Sequence, residues 1–167
     1  VYTLIVGMIS AQYGNPYPKS RLEVICPFNN VYMTGDGKYI AMCDPEYDRD
    51  YNKIMGLIGR DDLIDDPKYV NCVKMNEANL NAEVVGIMDE ALAKMTSEEA
   101  LKLFKDAGIP IEPCQTPLDV YEDQNVWDND YLVKIKYPEA ERNISTAPIQ
   151  FDTVPAPEFI PTGKLGS

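Results

Sequence analysis

Apolar and polar positions along this chain recur with a period that changes several times, and each change marks an element. Residues 2–13 mix apolar side chains with small polar ones and stop at Gly14-Asn15-Pro16, which predicts a helix ended by glycine and proline. Val31-Tyr32-Met33-Thr34 and Tyr39-Ile40-Ala41-Met42-Cys43 have the composition of strands. Between them Gly35-Asp36-Gly37-Lys38 offers the positive φ that a tight hairpin turn needs. From Asp48 to Ile58, Tyr51, Ile54, Met55 and Ile58 return at helical spacing, with Gly59 as the stop. The clusters Asp61-Asp62 and Asp65-Asp66-Pro67 are expected to open the short helices that follow, because carboxylates favour the positive end of a helix dipole.

The clearest stripe lies over Asn79 to Lys94. Leu80, Val84, Ile87, Met88, Ala91, Leu92 and Met95 share one face, with Glu83, Asp89, Glu90 and Lys94 largely outside it. Thr96-Ser97-Glu98-Glu99 then reads as a capping box opening a second helix, which ends at Gly108 before Pro110. Ile109 to Cys114 reads as extended, Pro117 to Glu122 as a short helix, and Asp123 to Asp130 as a further turn carrying Trp127. Tyr131 to Tyr137 alternates as a strand does. Beyond it, Pro138, Pro148, Pro155, Pro157 and Pro161 block regular structure, while Ile144, Ile149, Phe151, Val154, Phe159 and Ile160 still need a surface to cover. The expectation is an α+β fold. A helical hairpin and short helices pack on a small, mainly antiparallel sheet, with an extended proline-rich C-terminal arm.

Composition narrows the partners. The 167 residues carry a formal charge of −12 and a pI near 4.3, so a phosphate backbone finds no basic face to release its counterions. No nucleic-acid partner is expected. The longest apolar run, Leu4 to Ile9, is too short to span a bilayer, and no basic region precedes it as in a signal peptide. No membrane partner is expected and a cytoplasmic setting fits. The chain starts on Val1 inside an apolar segment, which reads as a piece of a longer protein.

The chain contains no histidine, which removes Ser-His-Asp triads, Cys-His pairs and imidazole ligands. Cys26, Cys43, Cys72 and Cys114 are widely spaced with no CxxC pair, so they read as reduced core hydrophobes and no metal site is expected. The acidic groups Asp61, Asp62, Asp65 and Asp66 lack calcium-loop spacing and suit helix capping.

Four phrases, read in order, resemble the class III coenzyme A transferases, the family of formyl-CoA and carnitine-CoA transferases and α-methylacyl-CoA racemases. They are Tyr32-Met33-Thr34-Gly35-Asp36-Gly37-Lys38-Tyr39-Ile40-Ala41, Gly59-Arg60-Asp61-Asp62-Leu63-Ile64-Asp65-Asp66-Pro67-Lys68-Tyr69, Ala107-Gly108-Ile109-Pro110-Ile111-Glu112-Pro113 and Pro161-Thr162-Gly163-Lys164-Leu165-Gly166. Asn15 to Arg21 and Cys26 to Asn30 look most like the clostridial 2-hydroxyacyl-CoA transferases. The resemblance implies a connecting helix and loop over 1–30, the family's small domain over 31–137, and an arm over 138–167 leading back to an absent large domain.

It implies further that acyl-CoA and a free carboxylic acid are the parent's substrates. No resident cofactor is implied, and the parent is a homodimer. In the family an aspartate of the large domain attacks the thioester, which suits a carboxylate that can be acylated and later displaced. That residue would precede Val1, so no catalytic residue is assigned and the isolated segment is expected to be inactive. A departure is the glycine-free stretch from Arg21 to Asn30, where formyl-CoA transferases carry a run of glycines.

The candidate substrate-binding residues are Arg21, Asn29, Asn30 and Tyr32. Arg21, beside Lys19 and Ser20, has a guanidinium fork suited to a carboxylate or a CoA phosphate, and the plainer alternative is a surface arginine. Asn29, Asn30 and Tyr32 precede or enter the hairpin, as acyl-pocket residues or as turn and packing residues. Trp127 with Tyr131 offers a stacking surface for adenine or a packing contact. A racemase of the same family and a non-catalytic acidic interaction module are the other readings.

Overall fold

Two five-residue strands with alternating burial begin the architecture. In this computed structural model, which describes residues 20–146 together with residues 12, 14, 149 and 153, β1 is Asn29–Met33 and β2 is Tyr39–Cys43. Apart from those isolated positions, the helix expected over 2–13 and the arm beyond residue 146 lie outside the described residues. The described chain divides into two compact units, one ending at Cys114 and one beginning at Gln115.

In the first unit β1 and β2 pair antiparallel from Asn29 opposite Cys43 to Met33 opposite Tyr39. A third strand, β3 (Ile111–Pro113), pairs antiparallel with the other edge of β2, giving the order β1-β2-β3. The hairpin turn takes the glycines the sequence supplies. Gly37 has φ +76°, and Thr34 and Lys38 close the turn with an N–H to carbonyl bond of 2.9 Å.

Helix α1 (Tyr47–Leu57) buries Tyr47, Asp50, Tyr51, Ile54 and Met55, which its 3.6-residue period places on one side. It ends with Gly59 at φ +72° and Arg60 N–H donating to the Met55 carbonyl at 2.8 Å, a Schellman closure. Phe28 stacks on Tyr47 with ring centres 4.6 Å apart, and Tyr51 lies 5.6 Å from Tyr47. The pair Asp61-Asp62 opens a 3-10 turn (Asp61–Leu63), but Asp65-Asp66-Pro67 opens no helix. Asp65 adopts φ +58°, Asp66 closes a local turn on Lys68 N–H at 2.9 Å, and α2 (Cys72–Glu77) starts later under an Asn71 cap.

Helices α3 (Asn81–Leu92) and α4 (Ser97–Asp106) follow in sequence. Their buried residues Val84, Val85, Met88, Leu92, Ala100 and Phe104 join Tyr32, Ile40, Met42 and Ile111 from the sheet in one core. A fully buried side chain of this size contributes about 1.5–3 kcal/mol. Helix α3 lies against β1 and α4 against β3 and β2. The capping box is complete: Thr96 Oγ1 accepts from Glu99 N–H at 3.2 Å, and Glu99 accepts from Thr96 N–H at 2.8 Å.

The hairpin turn is fastened to the start of α4. Gly35 N–H donates to Met95 O at 2.8 Å, and a Cβ on Gly35 would stand 2.6 Å from Ala93 O. Asp36 accepts from Thr34 Oγ1 at 2.5 Å, Ser97 Oγ at 2.9 Å and Ser97 N–H at 3.2 Å. These donors, Thr34 first, hold its carboxyl down to about 2.

The second unit contains α5 (Pro117–Glu122), α6 (Gln124–Asp128) and the antiparallel pair β4 (Leu132–Lys136) and β5 (Glu141–Ser145). Pro117 sits in the first turn of α5 under a Thr116–Asp119 capping box. Trp127 meets Tyr121 edge-on at 5.7 Å and donates its Nε1–H to the Tyr121 carbonyl at 2.7 Å, so among the described residues the ring it packs on is that of Tyr121, not Tyr131. The chain past Pro138 first turns back as β5, because Arg142 and Ile144 lie opposite Ile135 and Val133 in a regular ladder.

Candidate functional site

Three of the four candidate residues converge at the free edge of β1. Ser20 caps a 3-10 turn (Arg21–Glu23) by accepting from Leu22 N–H at 3.2 Å. This aims the Arg21 side chain across the strand. Arg21 Nε donates to Val31 O at 3.2 Å, while Nη1 and Nη2 donate to Asp89 Oδ2 and Oδ1 at 2.8 and 2.5 Å. The guanidinium carbon stands 5.2 Å from the centre of the Tyr32 ring. Asn30 donates to the Arg21 carbonyl at 3.0 Å, and its Oδ1 accepts from Val31 N–H at 2.9 Å.

The edge groups of Val31 are therefore both engaged by side chains, which removes a template for stray strand pairing. Tyr32 is fully buried, and its hydroxyl donates to Pro27 O at 2.7 Å. Burial raises its phenol well above the ordinary value. Asn29 stands apart from this cluster, exposed and opposite Cys43 on the outer face.

Asp89 went unnoticed in the sequence. It lies 68 positions from Arg21 and was read only as a polar residue outside the α3 stripe. A second group, Asp44 and Asp50, was also missed. Asp44 is fully buried, accepts from Glu46 N–H at 3.0 Å through Oδ1, and has no hydrogen-bond partner on Oδ2. Desolvation raises its carboxyl above the usual range, and the nearby Asp50 charge adds to the rise. Asp50 moves the other way: Arg49 Nε at 2.8 Å and Lys53 Nζ at 3.1 Å hold its carboxyl low. Both carboxyls are shut off from solvent, so neither can reach a thioester.

All four cysteines are free thiols, as read, although Cys43 and Cys114 are exposed and not core residues. Burial pushes the Cys26 thiol up to about 11, and its S–H points to Asp44 O at 3.4 Å. Among the described residues no group of three or more Cys, Asp or Glu side chains is placed to hold a metal ion, and no helix is long and apolar enough to cross a membrane.

A small antiparallel sheet covered by short helices, with its first strand edge pinned by an arginine, defines an α+β module. The chain belongs to CoA-transferase family III, whose profile matches residues 2–163. It is 34% identical over 163 residues to the cinnamoyl-CoA:phenyllactate CoA-transferase of Clostridium sporogenes, covering 95% of this chain and 39% of that protein. To the (R)-2-hydroxy-4-methylpentanoate CoA-transferase of Clostridioides difficile it is 30% identical over 170 residues, covering 99% of this chain and 42% of that protein. The chain thus spans about two-fifths of the length of these curated relatives.

Solved structures share the fold. A CAIB/BAIF family protein from Brucella suis matches with a TM-score of 0.69 at 18% identity, over 90% of this chain and 38% of that one. Rv3272 from M. tuberculosis matches with 0.64 at 21%, over 92% and 40%.

Proposed function

We propose that this chain is the part of a CoA transferase that walls the acyl chamber, in an enzyme that moves CoA from an acyl-CoA to a free carboxylic acid of the 2-hydroxy or enoyl type. One observation carries the reading: the identity to two 2-hydroxy acid CoA-transferases extends over 95% and 99% of the chain. Both relatives are named as transferases, which favours transfer over racemisation.

In this reading residues 1–30 and 138–167 connect to a large domain, and residues 31–137 belong to the small one. The nucleophilic aspartate lies in that other polypeptide. The acyl-enzyme anhydride and the CoA thioester that succeeds it are both hydrolysable, so the chain's task is to exclude water and fix the acid's orientation. The 20–32 segment supplies that wall. Asn29, exposed at its end, is the side chain offered to a ligand, while Arg21, Asn30 and Tyr32 hold the segment in shape. The parent enzyme is a cytoplasmic homodimer without a resident cofactor.

Turnover tests this. The full-length protein is expected to transfer CoA from a 2-hydroxyacyl- or enoyl-CoA to a matching acid, and the 167-residue chain to transfer none. A full-length protein that acts on no such pair, or an active 167-residue chain, contradicts the proposal.

A further inference from the structure

The stretch from Ser20 to Val31 is held at more points than a surface loop requires. Arg21 uses one donor on the β1 backbone and two on Asp89 of α3, with distances of 3.2, 2.8 and 2.5 Å. A bidentate fork of this kind fixes direction as well as separation. From the other side, Asn30 returns a bond to the Arg21 carbonyl, closing a ring of contacts around residues 21–30. Helix α3 packs on both β1 and the Arg21–Glu23 turn, so the fork joins elements that already touch. No glycine lies between Arg21 and Asn30, Pro27 fixes one φ, and the middle is tied separately by Asn81 donating to Val24 O and Asn76 to Ile25 O, both at 2.8 Å, so the fork governs the two ends of the segment. The pair is also half exposed, at 39% and 41%, which leaves it reachable by solvent and salt.

We propose that Arg21 and Asp89 form a clasp that fixes residues 20–31 as a pre-set wall, with Asp89 a positioning residue that acts through Arg21. The guanidinium charge is answered by the Asp89 carboxylate. A ligand carboxylate or phosphate therefore meets a paired arginine and is not drawn to it as to a free cation. The proposal rests on the transferase reading only for what the wall faces; the clasp itself stands on the contacts.

Hydrogen exchange on the whole 167-residue chain tests it, comparing peptides over 20–31 with peptides over α1 and α4. In Asp89→Asn the 20–31 amides should exchange about threefold to tenfold faster, the scale of one half-exposed fork, while α1 and α4 stay at wild-type rates. Asp89→Glu, which keeps two acceptors, should return the segment to within about twofold of wild type, and 1 M salt should speed exchange there in the wild type and in Asp89→Glu but not in Asp89→Asn. Arg21→Gln, which also loses the bond to Val31 O, should speed exchange at least as much as Asp89→Asn. Unchanged exchange at 20–31 in Asp89→Asn overturns the clasp, as does equal acceleration across all three regions, which would mean a general loss of stability. Exchange needs no turnover, so its failure is separate from failure of the transferase reading, which activity alone decides.

Discussion

Gly35 gives the sharpest single test of how the first unit is assembled. An alanine there would set its Cβ 2.6 Å from Ala93 O and 3.3 Å from Met95 O. Both neighbours are backbone atoms, so no rotamer can relieve the overlap. The turn must instead back away from the α3–α4 connection, stretching the 2.8 Å bond from Gly35 N–H to Met95 O. Overpacking of this sort costs about 1–3 kcal/mol and a lost hydrogen bond about 1 more, so Gly35→Ala should destabilise by about 2–4 kcal/mol. With an m-value of about 1.5 kcal/mol/M, the urea midpoint followed by far-ultraviolet circular dichroism falls by about 1.3–2.7 M. Gly86 is the control, a glycine in α3 where an added Cβ meets nothing within 4 Å. Gly86→Ala should stabilise by about 0.5–1 kcal/mol through helix propensity. A Gly35→Ala midpoint within about 0.3 M of wild type would refute the close-approach argument.

Other expectations follow from the same contacts. Asp36, held down to about 2 from an ordinary 3.8, contributes stability that is present above pH 4 and is lost as pH falls toward 2; Asp36→Asn should flatten that acid limb in thermal melts, and an unchanged limb would contradict it. Asp44 has the opposite sign: its folded pKa is raised, so stability present at low pH is lost as pH rises through that pKa, and Asp44→Asn should gain stability relative to wild type as pH increases. A melt series in which Asp44→Asn loses ground with rising pH would exclude that sign. Phe104, fully buried, should cost about 3–5 kcal/mol when cut to alanine in chemical denaturation. Thiol reagents should label Cys43 and Cys114 before Cys26 and Cys72, read by peptide mapping over time.

Local signals in this sequence were legible because one physical cause sat behind each. The Gly35–Lys38 turn, the Thr96–Glu99 capping box and the α3 stripe depend on residues within a few positions of one another, and all three form. Asp65-Asp66-Pro67 misled because aspartate caps turns as well as helices, and here Asn71 makes the helix-opening bond, to Lys74 N–H. The strand at Glu141–Ser145 was hidden among prolines that bracket it without entering it. The Arg21–Asp89 fork and the burial of Asp44 join distant segments, and no periodicity encodes them. Family resemblance in the turn and loop phrases reached the transferase class that composition alone could not.

The most direct measurement is to find which carboxyl carries CoA. The full-length enzyme, incubated with a 2-hydroxyacyl-CoA and quenched with borohydride or hydroxylamine, should bear its modified aspartate in polypeptide outside these 167 residues. A modified Asp or Glu within residues 1–167 would contradict the account.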